Sequence, residues 1–351
     1  MKAVAVACEG VPVSDNVKVV DNWDVPTPRH FDVVVKTEAS ALNHLDLWVG
    51  RGMPGLNLGY PRISGSDGCG IVTAVGKNVD ETWLGKRVLL NAAVRQIEQT
   101  PDDMTSAGPK IRMIGEHDQG TNAEYFSAPV SNVLEVGTVN PVEAAAFGLS
   151  HLTAWRMLVT RAGLQAGQTV LLTGIGGGTA LAAFNICRHF DCRIIVTSRH
   201  QWKLDRAIDL GADASILDTG EDWSRTVREL TQKRGVDLCV DSIGGPVHVP
   251  VIKSLARGGI LTTCGCTAGS SPKTDLARIF WNQLTVVGST MGDMDEFRAA
   301  VSLLQDGMKP VIDSVHEASN ARAAFERLES GDHFGKVVLR WNEPNHNQII
   351  Q

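Results

Sequence analysis

The chain has 351 residues, 43% of them hydrophobic and 21% charged, with a net charge of −6 and a pI of about 5.9. That length exceeds what one hydrophobic core organises comfortably, so two domains are expected, and the composition is that of an ordinary soluble protein. No lysine or arginine run carries interleaved aromatics, no apolar stretch has the length of a membrane span, and the opening MKAVAV reads as a strand rather than a signal peptide; a cytoplasmic protein without nucleic acid or membrane as partner is expected.

From residue 1 to about 140 the sequence is rich in β-branched runs broken by Gly, Pro and Asn, such as NVKVVDNW, HFDVVVKTEA, CGIVTAVG and KRVLLNA. These predict a largely antiparallel, barrel-like domain. Residues 144–162 read as a helix, and beyond them strands alternate with helices: TVLLTG, RIIVTS, ASILD, VDLCVDS, GILTTCG and LTVVGST, with helical stretches between most of them. Such alternation predicts a doubly wound parallel sheet. Two amphipathic helices, EFRAAVSLLQDG and NARAAFERLESG, and a last strand, GKVVLRW, close the chain. That strand is expected to return to the first domain, giving domains of 1–140 with 292–351 and of 141–291. The tail after Asn342 is polar and unpatterned. The seven cysteines, at 8, 69, 187, 192, 239, 264 and 266, include no CxxC pair and are expected to be reduced, buried thiols.

The most informative segment is 169–187, TVLLTGIGGGTALAAFNIC, a buried strand, a glycine turn and a helix start in succession. Gly174, Gly176, Gly177 and Gly178 let backbone amides approach a ligand with no Cβ in the way, and the following helix offers free amides and the positive end of its dipole to a pyrophosphate. The pattern departs from GxGxxG because Thr179 takes the third glycine's place; Gly174, Gly177 and Ala180, spaced by three, fit better. A glycine turn without a ligand is the competing reading. RIIVTS ends about twenty residues past the turn, where dinucleotide-binding units place the residue that reads the adenosine ribose. Instead of a carboxylate the chain has Thr197, Ser198 and Arg199, with Lys203 one helical turn further on, which favours NADP(H) over NAD(H). The alternative is that Arg199 and Lys203 are solvated surface charges.

The succession SALNHLDLWVGRG, PRISGSDGCGIVTAVG, AAAFGLSHLTAWRML, the glycine turn, GVDLCVDSIGG, GGILTTCGCTAG, LTVVGSTMG and HFGKVVL resembles the medium-chain dehydrogenase/reductase superfamily over nearly the whole chain. That family holds zinc alcohol dehydrogenases and zinc-free quinone and enoyl reductases. The resemblance implies a GroES-like β-barrel catalytic domain and a Rossmann domain. The positions of the three catalytic zinc ligands fall on Asn43, Ser66 and Leu149, and the proton-relaying hydroxyl falls on Leu45; none of the three is a competent ligand. The four-cysteine structural lobe corresponds to residues 91–123, which contain no cysteine; His117 with Glu116, Asp118, Asp102 and Asp103 there reads as solvated surface rather than a metal site.

Without a Lewis acid, hydride addition to a quinone or an α,β-unsaturated carbonyl is less demanding than reduction of a plain ketone, because charge spreads into an enolate. An alcohol dehydrogenase or carbonyl reductase using side-chain donors alone, and a low-turnover NADPH-binding protein with a structural or regulatory role, are the alternatives. Asn43 is the first candidate for the polar group at the reacting centre, against a side chain capping its own loop. Asp46 and Asp67 correspond to the family's carboxylates beside the metal and are expected to orient Asn43 or take part in proton transfer. His151 is a possible proton donor, against a packing role.

The resemblance further implies cofactor contacts from His44, from Thr153 to the nicotinamide, from Ser242, Cys264, Gly265 and Met291 at strand ends, and from Lys336 to the pyrophosphate. Cys264 is expected to be an inert thiol rather than a nucleophile. Trp48, Tyr60, Trp155 and Trp281 are candidate pocket walls or ordinary core. Family members are commonly dimers joined by the last strand of the nucleotide sheet, here residues 284–289.

Overall fold

The computed structural model describes residues 1–53, 55–96 and 110–341. Two compact units divide the chain: Met1–Leu149 with Asp293–Gln351, and Ser150–Gly292. The boundary falls inside the helix Pro141–Trp155 rather than at its start.

With strands numbered along the whole chain, the described residues of the first unit contribute β1 (Ala3–Val6), β2 (Val17–Val20), β3 (Asp32–Ala41), β4 (Arg62–Ile63), β5 (Gly68–Val75), β6 (Arg87–Leu90), β7 (Ala93–Arg95), β8 (Ile111–Met113), β9 (Tyr125–Pro129), β10 (Val133–Glu135), β17 (Ile312–Glu317) and β18 (Lys336–Arg340). The main sheet runs β10–β6–β5–β3–β18–β17, and β9 also pairs with β3. β3 is its hub, because its β-branched run DVVVKTEASA has neighbours on both edges. One edge faces β5; on the other, residues 32–36 pair with β9 and residues 39–41 with β18.

The register fixes what stands at the far end of β3. Val338 lies opposite Ala41, and the Leu42 N–H donates to the Val337 carbonyl at 2.9 Å, so continuing the antiparallel ladder brings Lys336 across from Asn43. On the other edge Ser40 opposes Gly68 and the Ala41 N–H donates to the Asp67 carbonyl, which brings Asp67 alongside. Beneath this junction the helix Ala321–Ser330 buries Ala321, Ala324 and Phe325 against Leu42, Leu47, Val337 and Leu339. β17 was not anticipated, since IDSVHE alternates too many polar residues to read as a strand; it forms as the parallel partner of β18.

The second unit contains β11 (Thr169–Leu172), β12 (Arg193–Ser198), β13 (Ala214–Leu217), β14 (Val236–Asp241), β15 (Leu255–Thr263) and β16 (Thr285–Gly288), all parallel, in the order β13–β12–β11–β14–β15–β16. This is the doubly wound sheet expected from the alternating pattern, with Leu171, Ile195, Cys239 and Leu261 in its core. β15 starts earlier than GILTTCG suggested, because its first residues join β14 through a register shift. The helix Pro141–Trp155 passes into a π-helical turn at Arg156–Arg161 rather than running on as one α-helix.

The helix Leu276–Asn282 was missed for a physical reason: Leu276, Phe280 and Trp281 are 69%, 69% and 72% exposed, so its apolar residues do not mark a buried face. Trp281 is therefore a surface residue and not a pocket wall. Cys8 and Cys266 are also exposed, contrary to expectation, while Cys69, Cys187, Cys192 and Cys239 are buried. No described helix is long and apolar enough to cross a membrane.

Candidate active site

In the first unit the ends of three strands bring Asn43, Asp67 and Lys336 into one buried cluster. The Lys336 Nζ donates to Asn43 Oδ1 at 2.6 Å and to Asp67 Oδ2 at 2.9 Å, and the Asn43 Nδ2 donates to the same Asp67 oxygen at 2.8 Å. Exposure is 9% for Asn43, 0% for Asp67 and 4% for Lys336, so water screens these contacts little. The second oxygen of Asp67 accepts the Leu149 N–H at 2.6 Å, and its backbone carbonyl accepts from Thr121 Oγ1 at 2.7 Å. A Cβ on the neighbouring Gly148 would lie 2.4 Å from Asp67 Oδ1, so the helix can approach the carboxylate only through a glycine.

The Lys336 ammonium, for which the resemblance implied a pyrophosphate contact, is engaged by Asp67 and Asn43. The side chain of Asn43 is likewise turned to Asp67 and Lys336, while the start of the helix His44–Arg51 is tied from the opposite direction, the Asn43 N–H donating to Asp46 Oδ2 at 2.7 Å. Behind it runs a chain of polar contacts in which Trp341 Nε1 donates to Ser40 Oγ, Ser40 Oγ to Asn122 Oδ1, and Asn122 Nδ2 to both Asp46 Oδ1 and Ser64 Oγ. Burial raises the Asp46 carboxyl to about 6, against the lowering effect of its bonds to the Asn43 backbone and Ser64. Ser64, Thr121 and Asn122 escaped the sequence reading, because short polar residues in connecting segments carry no spacing signal.

The positions that hold zinc in the enzymes this chain resembles do not fit a metal. Asn43 offers an amide already used on both sides, Ser66 Oγ donates to the Ile114 carbonyl at 2.7 Å, and Leu149 offers only its backbone N–H, which Asp67 takes. Among the described residues no three His, Cys, Asp or Glu side chains stand together as a metal-holding group. Asp118 is paired with Arg112 and the His117 ring accepts the Met113 N–H, while Asp102 and Asp103 lie outside the described residues. His44 is exposed on the first helical turn, with its ring edge against Trp48; desolvation and the Arg51 charge lower its pKa.

In the second unit the residues expected around a nicotinamide dinucleotide gather at the carboxyl ends of the parallel strands. Gly174 and Gly176 have φ of +63° and +118°, a region closed to most other residues, and Gly177 caps the helix Gly178–His189, whose second residue is Thr179. A Cβ at Gly176 would lie 2.8 Å from Lys203 Cδ and 3.4 Å from its Nζ, so this ammonium stands against the turn itself. That is a cradle suited to a diphosphate, and Gly176, Gly177, Gly178, Thr179 and Lys203 are the residues that would hold one. Thr197 Oγ1 accepts the Gly174 N–H, Ser198 Oγ accepts the His200 N–H, and Arg199 is exposed beside them.

Ser242 follows β14, and Cys264 and Gly265 follow β15. Thr153 Oγ1 lies 3.9 Å from the sulfur of Met291, which adopts a left-handed φ of +49°. Asp241, which no spacing or motif in the sequence marks, shapes this end of the sheet: its carboxylate accepts from Thr173 Oγ1 and from the Ile243 and Gly244 N–H groups. Burial pushes the Cys264 thiol up to about 12, the state of an inert sulfur. His151 is buried, with Nδ1 3.3 Å from Ser150 Oγ.

Residues 29–138 match the alcohol dehydrogenase GroES-like domain family, and residues 178–306 match the zinc-binding dehydrogenase family. The chain is 29% identical over 331 residues to the zinc-type alcohol dehydrogenase-like protein YogA of Leptosphaeria maculans, covering 90% of this chain and 92% of that one. It is 24% identical over 350 residues to human quinone oxidoreductase, covering 97% of each. A crystal structure of an NAD-dependent alcohol dehydrogenase superposes with a TM-score of 0.89 at 35% identity, over 97% of this chain and 100% of the other. The chain belongs to the medium-chain dehydrogenase/reductase superfamily and is a nicotinamide-dependent oxidoreductase.

The raised Asp46 carboxyl predicts a pH signature. The folded state binds this proton more tightly than the unfolded chain, so the group's stabilising contribution is complete below 3.8 and is lost as pH rises through about 6. Relative to Asp46→Asn, the wild type should lose about 3 kcal/mol between pH 3.5 and 7.5. Denaturant unfolding of both proteins across that range measures it, and a pH-independent difference contradicts it.

Proposed function

We propose that this oxidoreductase uses NADPH, without a catalytic metal, to reduce quinones or α,β-unsaturated carbonyl compounds. The observation that carries the reading is the cluster of Asn43, Asp67 and Lys336, where a side-chain cation and an amide stand among residues that offer zinc no donor set. Bound NADPH supplies a hydride. The chain's own part is to bind the acceptor, orient it and donate a hydrogen bond to the oxygen on which charge develops. Asn43 is assigned that donation, since of the two hydrogens on its Nδ2 Asp67 takes one at 2.8 Å and the Ala41 carbonyl meets the other only at 3.4 Å. In a conjugate addition the negative charge is shared along the enolate, so one well-placed amide supports a larger part of the stabilisation than in direct reduction of a ketone. The name of the human quinone oxidoreductase relative agrees with this acceptor class.

A second reading is favoured by the superposition on an NAD-dependent alcohol dehydrogenase at 35% identity: a carbonyl reductase or alcohol dehydrogenase working with side-chain donors alone. The preference for NADPH rests on Ser198, Arg199 and Lys203, with the Lys203 ammonium beside Gly176 and no carboxylate at the end of β12 to repel a 2′-phosphate. A homodimer is also proposed. β16 is an edge strand with Val286 47% exposed, and an unpaired edge of that kind is available to the same strand of a second copy.

Three outcomes are expected. NADPH oxidation should proceed with a quinone, an enone or an enoyl thioester and be slow with a simple aldehyde; turnover of the aldehyde alone, or stoichiometric zinc in the purified protein, contradicts the reading. Arg199→Ala should weaken NADPH binding by about tenfold or more while leaving NADH nearly unaffected, a lost charged hydrogen bond being worth about 1.5–3 kcal/mol, whereas Lys203→Ala, at the diphosphate turn, should weaken both cofactors and NADPH the more. Equal effects on the two cofactors in a fluorescence titration count against it. Light scattering should give twice the mass of one chain, and a monomer at micromolar concentration removes the β16 interface.

A further inference from the structure

We infer that Lys336 is the resident cation of the active site. Held by Asp67, it fixes and polarises the Asn43 carboxamide, so that the amide acts where related enzymes use a metal. The inference rests on the donor role proposed for Asn43 and adds the residue through which that role is set.

Three features carry it. The pairing of β18 with β3 brings Lys336 opposite Asn43 by backbone register, so the contact is built into the sheet and is not a chance meeting of long side chains. The ammonium is 4% exposed and sits on Asn43 Oδ1 at 2.6 Å and Asp67 Oδ2 at 2.9 Å. An external anion would have to displace a carboxylate that also holds Asn43 Nδ2 and the Leu149 N–H. Finally, the hydrogens of Asn43 Nδ2 are unequally used: one is on Asp67 at 2.8 Å, and the only other hydrogen-bond partner among the described residues, the Ala41 carbonyl at 3.4 Å, is long.

The physical consequence follows from the amide's resonance. A cation on the carbonyl oxygen draws electron density from the nitrogen, and hydrogen bonds in series strengthen one another in a poorly screened interior. The Nδ2 hydrogen directed away from Asp67 becomes a stronger donor than that of a free carboxamide. Lys336 also fixes which end of the amide faces which neighbour, because an ammonium cannot accept a hydrogen bond. Lys336 is therefore a positioning residue: it acts on the substrate oxygen through Asn43.

The test uses full-length Lys336→Met and the paired variant K336M/D67N, which removes the ion pair as a unit and so leaves no stranded carboxylate. Both should melt cooperatively. In each, kcat with an enone or quinone should fall about ten- to a hundredfold, a share of what deleting a whole oxyanion donor costs, while the dissociation constant for NADPH changes by less than about twofold. Weakened NADPH binding with kcat intact would return Lys336 to a pyrophosphate role and overturn the inference, as would unchanged kcat in folded variants. A readout independent of turnover separates this from failure of the reductase reading. The side-chain amide protons of Asn43, assigned in ¹⁵N-labelled protein by their loss in Asn43→Ala, should move upfield in Lys336→Met. Unmoved resonances overturn the inference whatever the acceptor proves to be, and moved resonances in an enzyme that reduces no quinone or enone leave Lys336 in place and remove only the proposed substrate class.

Discussion

A carboxylate that no water reaches governs the first unit. Asp67 is fully buried, and an ionised side chain in that position is tolerable only if every lone pair facing the interior is met. The fold meets them from three directions, with an ammonium from β18, an amide from the end of β3 and a backbone N–H from the helix Pro141–Trp155, while a threonine hydroxyl donates to the residue's backbone carbonyl. Removing one partner of such a pair typically costs about 3–5 kcal/mol, because the survivor is left charged and alone. Gly148, the register of β18 and the direction of the Asn43 side chain all follow from keeping that carboxylate satisfied.

Much of this was legible in the sequence, though unevenly. The parallel sheet was readable strand by strand, because short β-branched runs alternating with helical stretches have few other solutions. The glycine turn and Lys203 were readable because positive φ and close approach select glycine, and because the basic residue follows at helical spacing. Asn43, Asp46 and Asp67 were singled out through resemblance rather than periodicity, with the two carboxylates expected to orient Asn43, as their hydrogen bonds to it do; the contacts of Lys336, Asn122 and Thr121 with them carried no signal. Nothing near Lys336 signals that it reaches Asn43, since the two meet through strand pairing across a separation of 293 residues. Helix Leu276–Asn282 and β17 were missed because the first exposes its apolar residues and the second has too few of them.

In the second unit the polar groups at the strand ends are held before any ligand arrives. Asp241 ties Thr173 to the loop after β14, and Thr197 receives the amide of Gly174, so the turn is braced from the strands on both sides of β11. Lys203 covers the one glycine at which a side chain would collide with it. A site braced in this way loses little conformational freedom on binding, which leaves more of the interaction energy to appear as affinity.

The pairing of β18 with β3 also dictates when the cluster of Asn43, Asp67 and Lys336 can exist during synthesis. Asn43 and Asp67 leave the ribosome well before their cation, which follows only after the inserted second unit has emerged. Until then β3 has an open edge beside an incompletely paired buried acid, a nascent state with a surface suited to mispairing. Emergence of β18 closes that edge and supplies the counter-charge in the same step, so the buried acid and its cation enter the fold together.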